Sequence, residues 1–113
     1  MLAITAALAS LAILERLRPR FGRLYQERGY CYVALKQAPQ AIEAFLRAVN
    51  VNPALPASWR MLEGLYRMTG QTADTRQSAA QLAWLQKLPP AVVSATALFY
   101  DGELGRASCR ERV

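Results

Sequence analysis

A chain of 113 residues with a formal charge of +6 has room for one modest core. Hydrophobic residues make up 53% and charged residues 19%, a balance that excludes a disordered, solvating polypeptide. There is no histidine, and the two cysteines, Cys31 and Cys109, supply neither a disulfide framework nor metal-ligand spacing. The expectation is therefore no catalytic residue, no metal and no cofactor. The arginines Arg16, Arg18, Arg20, Arg23, Arg28, Arg47, Arg60, Arg67 and Arg76 are dispersed and accompany no nucleic-acid reading motif, so they read as solvated helix faces and nucleic acid is not expected as a partner.

Residues 1–14 are apolar. They lack a basic n-region and a cleavage site with a polar mature start, and they fall short of the roughly 20 residues that span a bilayer. A buried helix over 3–17 is predicted, with no membrane partner and a cytoplasmic location.

The next elements repeat. Pro19 and Pro53 are 34 residues apart, as are Ala7 and Ala41, Leu11 and Phe45, Tyr25 and Trp59, and Tyr32 and Tyr66. Between 40 and 51, Ala41, Ile42, Phe45, Ala48 and Val49 recur at three- and four-residue spacing; between 58 and 69, Trp59, Leu62, Leu65 and Tyr66 do the same. Each helix has one apolar stripe and must stack to bury it. Gly70 suits a left-handed helix cap, Thr72 is expected to cap the next helix, and Asp74 falls in that helix's first turn. Pro39 and Pro56 sit at helix starts, and Pro89–Pro90 closes one helix and opens another. Six helices are predicted, over 3–17, 21–36, 39–51, 56–69, 73–87 and 90–100.

A 34-residue helix–turn–helix period resembles the tetratricopeptide repeat. Tyr25, Gly29, Tyr32, Ala41, Phe45, Ala48 and Pro53 stand at the family's signature positions, and the next unit supplies Trp59, Leu62, Tyr66 and Gly70, again at the family's spacings. The resemblance implies an all-α solenoid of helical hairpins over 1–104, with a partial unit at 3–19, a unit at 21–53, a divergent unit at 56–88 and the start of a further unit at 90–104. Arg28 replaces a preferred leucine, Glu63 a small residue and Lys36 a turn glycine, while Thr75 and Ala79 weaken the second-helix signature. More narrowly, the stretch LYQERGYCYVALKQAPQAIEAFLRAVNVNPALPASWRMLEGLYRMTG, with LPPAVVSATALFYDGEL after it, is similar to the N-terminal repeat region of bacterial tetratricopeptide sulfotransferases. That likeness implies a downstream domain transferring a sulfuryl group from 3′-phosphoadenosine-5′-phosphosulfate. This chain has no Gly-rich phosphate loop onto which the family's catalytic residues can be carried.

Helical periodicity lines one face with Arg23, Gln26, Tyr30, Val33, Arg60, Gly64, Arg67 and Met68, the candidate groove. Its arginines suit an acidic peptide, or read as solvated supports of their helices. The expected partner is a protein, a peptide or a downstream domain of the same chain. The alternatives are a transferase in which the repeats are a spacer, and a stand-alone adaptor for an acidic peptide. Tyr25, Tyr32, Phe45, Trp59 and Tyr66 read as core, Trp84 as cover for a helix junction and Cys31 as a small apolar residue. Glu43, Glu63, Asp101 and Glu103 read as solvated helix-surface carboxylates.

The closing segment GRASCRERV, residues 105–113, breaks the pattern. It looks like the in-frame translation of a short-read sequencing adapter and is expected to be an artefact following Leu104. Without it the charge falls from +6 to +4 and Cys109 is lost. Apolar faces left at both ends of such an array, without polar capping repeats, are expected to leave the chain marginally folded or self-associating. Sedimentation equilibrium of the chain is expected to reveal oligomers, and a monomer with a sharp cooperative melt would overturn that expectation.

Overall fold

The structure, a computed structural model, describes residues 2–102; Glu103, Leu104 and the segment 105–113 lie outside the described residues. Six helices follow one another: α1 (Leu2–Leu17), α2 (Gly22–Ala34), α3 (Ala38–Val51), α4 (Pro56–Met68), α5 (Thr72–Gln86) and α6 (Pro90–Tyr100). The described residues contain no strand. Each helix lies within two residues of the bounds read from periodicity. Proline occupies the first or second position of α3, α4 and α6, where its missing amide would have had no intrahelical partner.

Two local devices recur with the sequence period. The amide of Lys36 donates to the Val33 carbonyl and that of Gln37 to the Tyr32 carbonyl, closing α2 with a Schellman motif. The amides of Gly70 and Gln71 close α4 in the same way on the Arg67 and Tyr66 carbonyls. The left-handed position is Gly70, at φ 77°, in the second motif, but Lys36, at φ 60°, in the first. The second device ties each hairpin to the proline before it. The Tyr25 hydroxyl donates to the Pro19 carbonyl over 2.5 Å, and the Trp59 indole N–H donates to the Pro53 carbonyl over 2.9 Å.

Packing follows chain order. α2 lies against α3 and α4 against α5, as their short connections require, while α3 and α4 join the two hairpins. Ala41, Phe45 and Val49 of α3 meet Leu62, Leu65 and Tyr66 of α4 in one core, flanked by Tyr30, Tyr32, Ile42 and Trp59. Phe45 depends on Gly29: a Cβ on that glycine would stand 2.6 Å from the ring. A second core unites Leu24 and Tyr25 of α2, Ala48 of α3, Ala54 and Leu55 of the α3–α4 loop, and Ala97 of α6.

The ends are lightly packed. The buried helix expected over 3–17 is corrected: α1 packs along one side only and has no buried residue, with Leu11 and Leu14 resting on the second core while Leu2, Ile13 and Leu17 are exposed. α5 buries Ser78, Leu82 and Leu85. Its N-cap is Gln71, without a side-chain cap, so the cap expected at Thr72 is corrected: Thr72 is the first residue inside the helix. Asp74 does fall in its first turn. α6 starts beside Leu85 and Leu88 and runs back across the open end of the hairpins, opposite their turns, so that Asp101, at its close, reaches the first residue of α2.

Lys36 and Gly29 give opposite expectations. Lys36→Gly removes a left-handed strain of about 1–2 kcal/mol, partly offset by the greater chain entropy of glycine, for a net gain of roughly 0.5–1 kcal/mol. Gly29→Ala drives a methyl into the Phe45 ring and lowers stability by about 1–3 kcal/mol. Urea unfolding midpoints check both signs.

Candidate functional site

The groove read from the sequence divides into an occupied end and an open end. Arg23 and Gln26 lie at the occupied end. They line a crevice of about 650 Å³ with Glu27, Ala57 and, from the far side, Val93 and Ala97 of α6. Gln26 is already engaged, because its Oε1 accepts a 2.7 Å bond from the buried Ser58 hydroxyl and so links α2 to α4. Tyr30 is half-buried, its ring edge-on to Phe45 with centroids 5.4 Å apart, and burial pushes its hydroxyl pKa up. Val33, Arg60, Gly64, Arg67 and Met68 are exposed. Nothing lies within 4 Å of the position a Gly64 Cβ would occupy, so this end is open.

The arginines are not equivalent. Arg67 pairs with Glu63 one turn earlier on its own helix. Arg23 faces Asp101 across 3.5 Å. Arg60 has no ion pair among the described residues. Two of the three cations expected to meet an acidic partner thus already have carboxylates of their own.

Asp101 corrects the reading of a solvated surface carboxylate. It is 4% exposed and sits where three parts of the chain converge. Its Oδ1 accepts bonds from the Gly22 amide at 2.8 Å and from Asn52 Nδ2 at 2.9 Å. The N-terminus of α2 has no cap from its own side chains, so a carboxylate 79 residues away supplies it. Asn52, fully buried, also donates to the Ala97 carbonyl at 2.9 Å and accepts the Ala54 amide at 3.2 Å. Arg18 donates over 2.6 Å to the Asp101 carbonyl at the C-terminal end of α6. Gly22 is required for this approach, because a Cβ there would stand 2.6 Å from the Asn52 Cβ. Sequence reasoning missed the cluster. The available signals were the Asp–Gly pair ending an apolar helix and the Asn before Pro53, each of which also reads as an ordinary turn.

The other arginines act locally. Arg28, at a position expected to be leucine, turns to α1 and bonds Glu15 at 3.2 Å. Arg28 and Arg47 lie over the Tyr25 ring, 5.4 and 4.7 Å from its centroid. Trp84 lines a crevice of about 320 Å³ with Leu88, Val92 and Tyr100 between α5 and α6. Cys31 is half-buried, and burial raises its thiol pKa, which disfavours the reactive thiolate. Among the described residues no group of three or more potential ligands gathers to hold a metal, and no helix is long and apolar enough to cross a membrane.

In comparisons with protein-family models, curated proteins and solved structures, the chain matches none.

The hydrogen bond from Arg28 holds the Glu15 carboxyl below its ordinary pKa. A depressed folded pKa contributes stability above the unfolded value, near 4.3, which is lost as pH falls through the folded one. The seating of α1 on α2 is therefore expected to loosen as pH falls below the ordinary glutamate range. Amide exchange in α1 measured against pH should show this acid-dependent step, and Arg28→Ala should abolish it.

Proposed function

We propose that the chain is a tetratricopeptide-type solenoid segment, a non-catalytic protein-interaction module that works in the cytoplasm as the N-terminal arm of a larger sulfotransferase-like protein. The observation that carries the repeat reading is the recurrence of two devices at the same 34-residue interval. The aromatic at 25 and again at 59 bonds the carbonyl of the proline six residues earlier, and the left-handed cap at 36 returns at 70. Hairpins that repeat their ties as well as their apolar pattern support a stacked array, whose use is to present an extended face.

The binding face we assign is the open stripe of Val33, Arg60, Gly64, Arg67 and Met68. It suits a protein or peptide, or another domain of the same protein, with apolar contacts to Val33 and Met68 and one free cation at Arg60. A strongly acidic peptide is the weaker reading, since Arg23 and Arg67 already pair with Asp101 and Glu63. The transferase association rests on the resemblance of residues 24–70 and 88–104 to the repeat regions of such enzymes.

The test uses the complete parent protein, with sulfuryl transfer assayed on a protein acceptor and on a small-molecule acceptor. Gly64→Trp fills the open face from a position whose Cβ has no atom within 4 Å, and Arg60→Glu inverts its charge. Both are expected to raise KM for the protein acceptor several-fold while leaving kcat and the small-acceptor reaction unchanged. Unchanged KM would overturn the arm's role in positioning. A parent that transfers no sulfuryl group would overturn the transferase association.

A further inference from the structure

α6 is held unlike the other helices. Of its residues only Ala97 is buried, and Val92, Phe99 and Tyr100 are 47%, 61% and 45% exposed. The 650 Å³ crevice separates much of its length from α2 and α4. Its C-terminal end, in contrast, is held by several hydrogen bonds. Asn52 holds the Ala97 carbonyl, Arg18 holds the Asp101 carbonyl, and Gly22 and Asn52 together hold Asp101 Oδ1. Asp101 Oδ2 is buried and has no hydrogen bond; only the charge of Arg23, 3.5 Å away, answers it. This is a point attachment at one end, not a packed helix face.

The groups that hold that end all belong to other parts of the chain. Asn52 is anchored through its Oδ1 by the Ala54 amide, which leaves Nδ2 to donate to α6. The Gly22 amide converges with it, and Arg18 and Arg23 supply two positive charges. The floor is apolar, made by Leu24, Ala54 and Leu55. A helix whose last turn carries a small residue four positions before a carboxylate satisfies all of this, as Ala97 and Asp101 do. The small residue allows close approach to the floor, and the carboxylate caps α2.

We propose that this seat is a docking site for a short apolar helix ending in a carboxylate, and that α6 is its tethered occupant, which must release before such a helix binds in trans. The proposal rests on the interaction reading and deepens it by naming the partner's chemistry. The site is separate from the open stripe at Gly64, so Gly64→Trp leaves it intact and the two assignments fail independently.

The experiment titrates the full chain into a fluorescent peptide of residues 90–102 and follows anisotropy. Asp101→Ala in the chain weakens the tethered occupant, so this variant is expected to bind the peptide at least tenfold more tightly than the unaltered chain. It is also expected to prefer that peptide tenfold over one carrying Asp101→Ala. Amide exchange on the same variant should accelerate in α6 while α2 to α5 keep their protection. Equal binding by the two chains, or no preference for the carboxylate, overturns the proposal. Lost protection throughout α2 to α5 also overturns it, since α6 would then be an integral strut.

Discussion

The buried amide of Gly22 at the start of α2 is the constraint on which the open end of the hairpins turns. A helix N-terminus leaves donors that its own ladder cannot use, and one buried without partners carries a penalty of about 1–3 kcal/mol for each orphaned group. Phe21 precedes α2 and cannot cap it. The chain answers with Asp101, and that choice draws in the rest. A buried carboxylate has to be compensated, so Asn52 donates to it and Arg23 faces it. Gly22 must lack a side chain so that Asn52 can stand against it. α6 must then cross back over the α3–α4 loop to deliver the carboxylate, which buries Ala97 beside Tyr25 and Leu55.

The hairpins depend on a different constraint, the sharing of space between paired positions. Gly29 leaves room on α2 for the Phe45 ring of α3. In the next hairpin the positions 34 residues on are Glu63 and Ala79, so the larger side chain moves to the first helix and the smaller to the second. This inversion is one way to keep the volume between two helices filled while the signature weakens. Glu63 pairs with Arg67 one turn later on its own helix.

Much of the helical order was legible because it is written locally. Three-and-four spacing around Phe45 and Leu62, proline at helix starts and glycine at position 70 each act within a few residues, and all six helices fall close to where they were read. The Schellman cap at Lys36 was legible only as a substitution for glycine; its left-handed φ shows that the cap geometry survives the change of residue. The candidate face was legible as a stripe but not in its division. Whether Arg23 is free depends on a carboxylate 78 positions later, and no spacing rule connects those residues. Asp101 was misread for the same reason. On its own helix it belongs at an exposed end, and its burial is decided by the direction α6 takes after Pro89 and Pro90.

Charge is where the local and the long-range readings diverge most. A net charge of +6 invites an acidic partner. Yet Arg18 serves a helix-end carbonyl and the Phe21 ring, Arg23 a buried aspartate, Arg28 a glutamate on α1, Arg47 the face of Tyr25, and Arg67 a neighbouring glutamate. Apart from Arg67, which pairs within α4, these guanidiniums act as planar packing groups that join separate parts of the chain. Once they are assigned, the positive potential left for a partner on the open face is centred on Arg60. Recognition there has to come from shape and from apolar contact with Val33 and Met68. The concentrated positive charge lies instead at the start of α2, where Arg23 and the Gly22 amide meet the Asp101 carboxylate and Arg18 holds its backbone carbonyl. A partner chosen by charge would therefore compete with α6, and a partner chosen by shape would not.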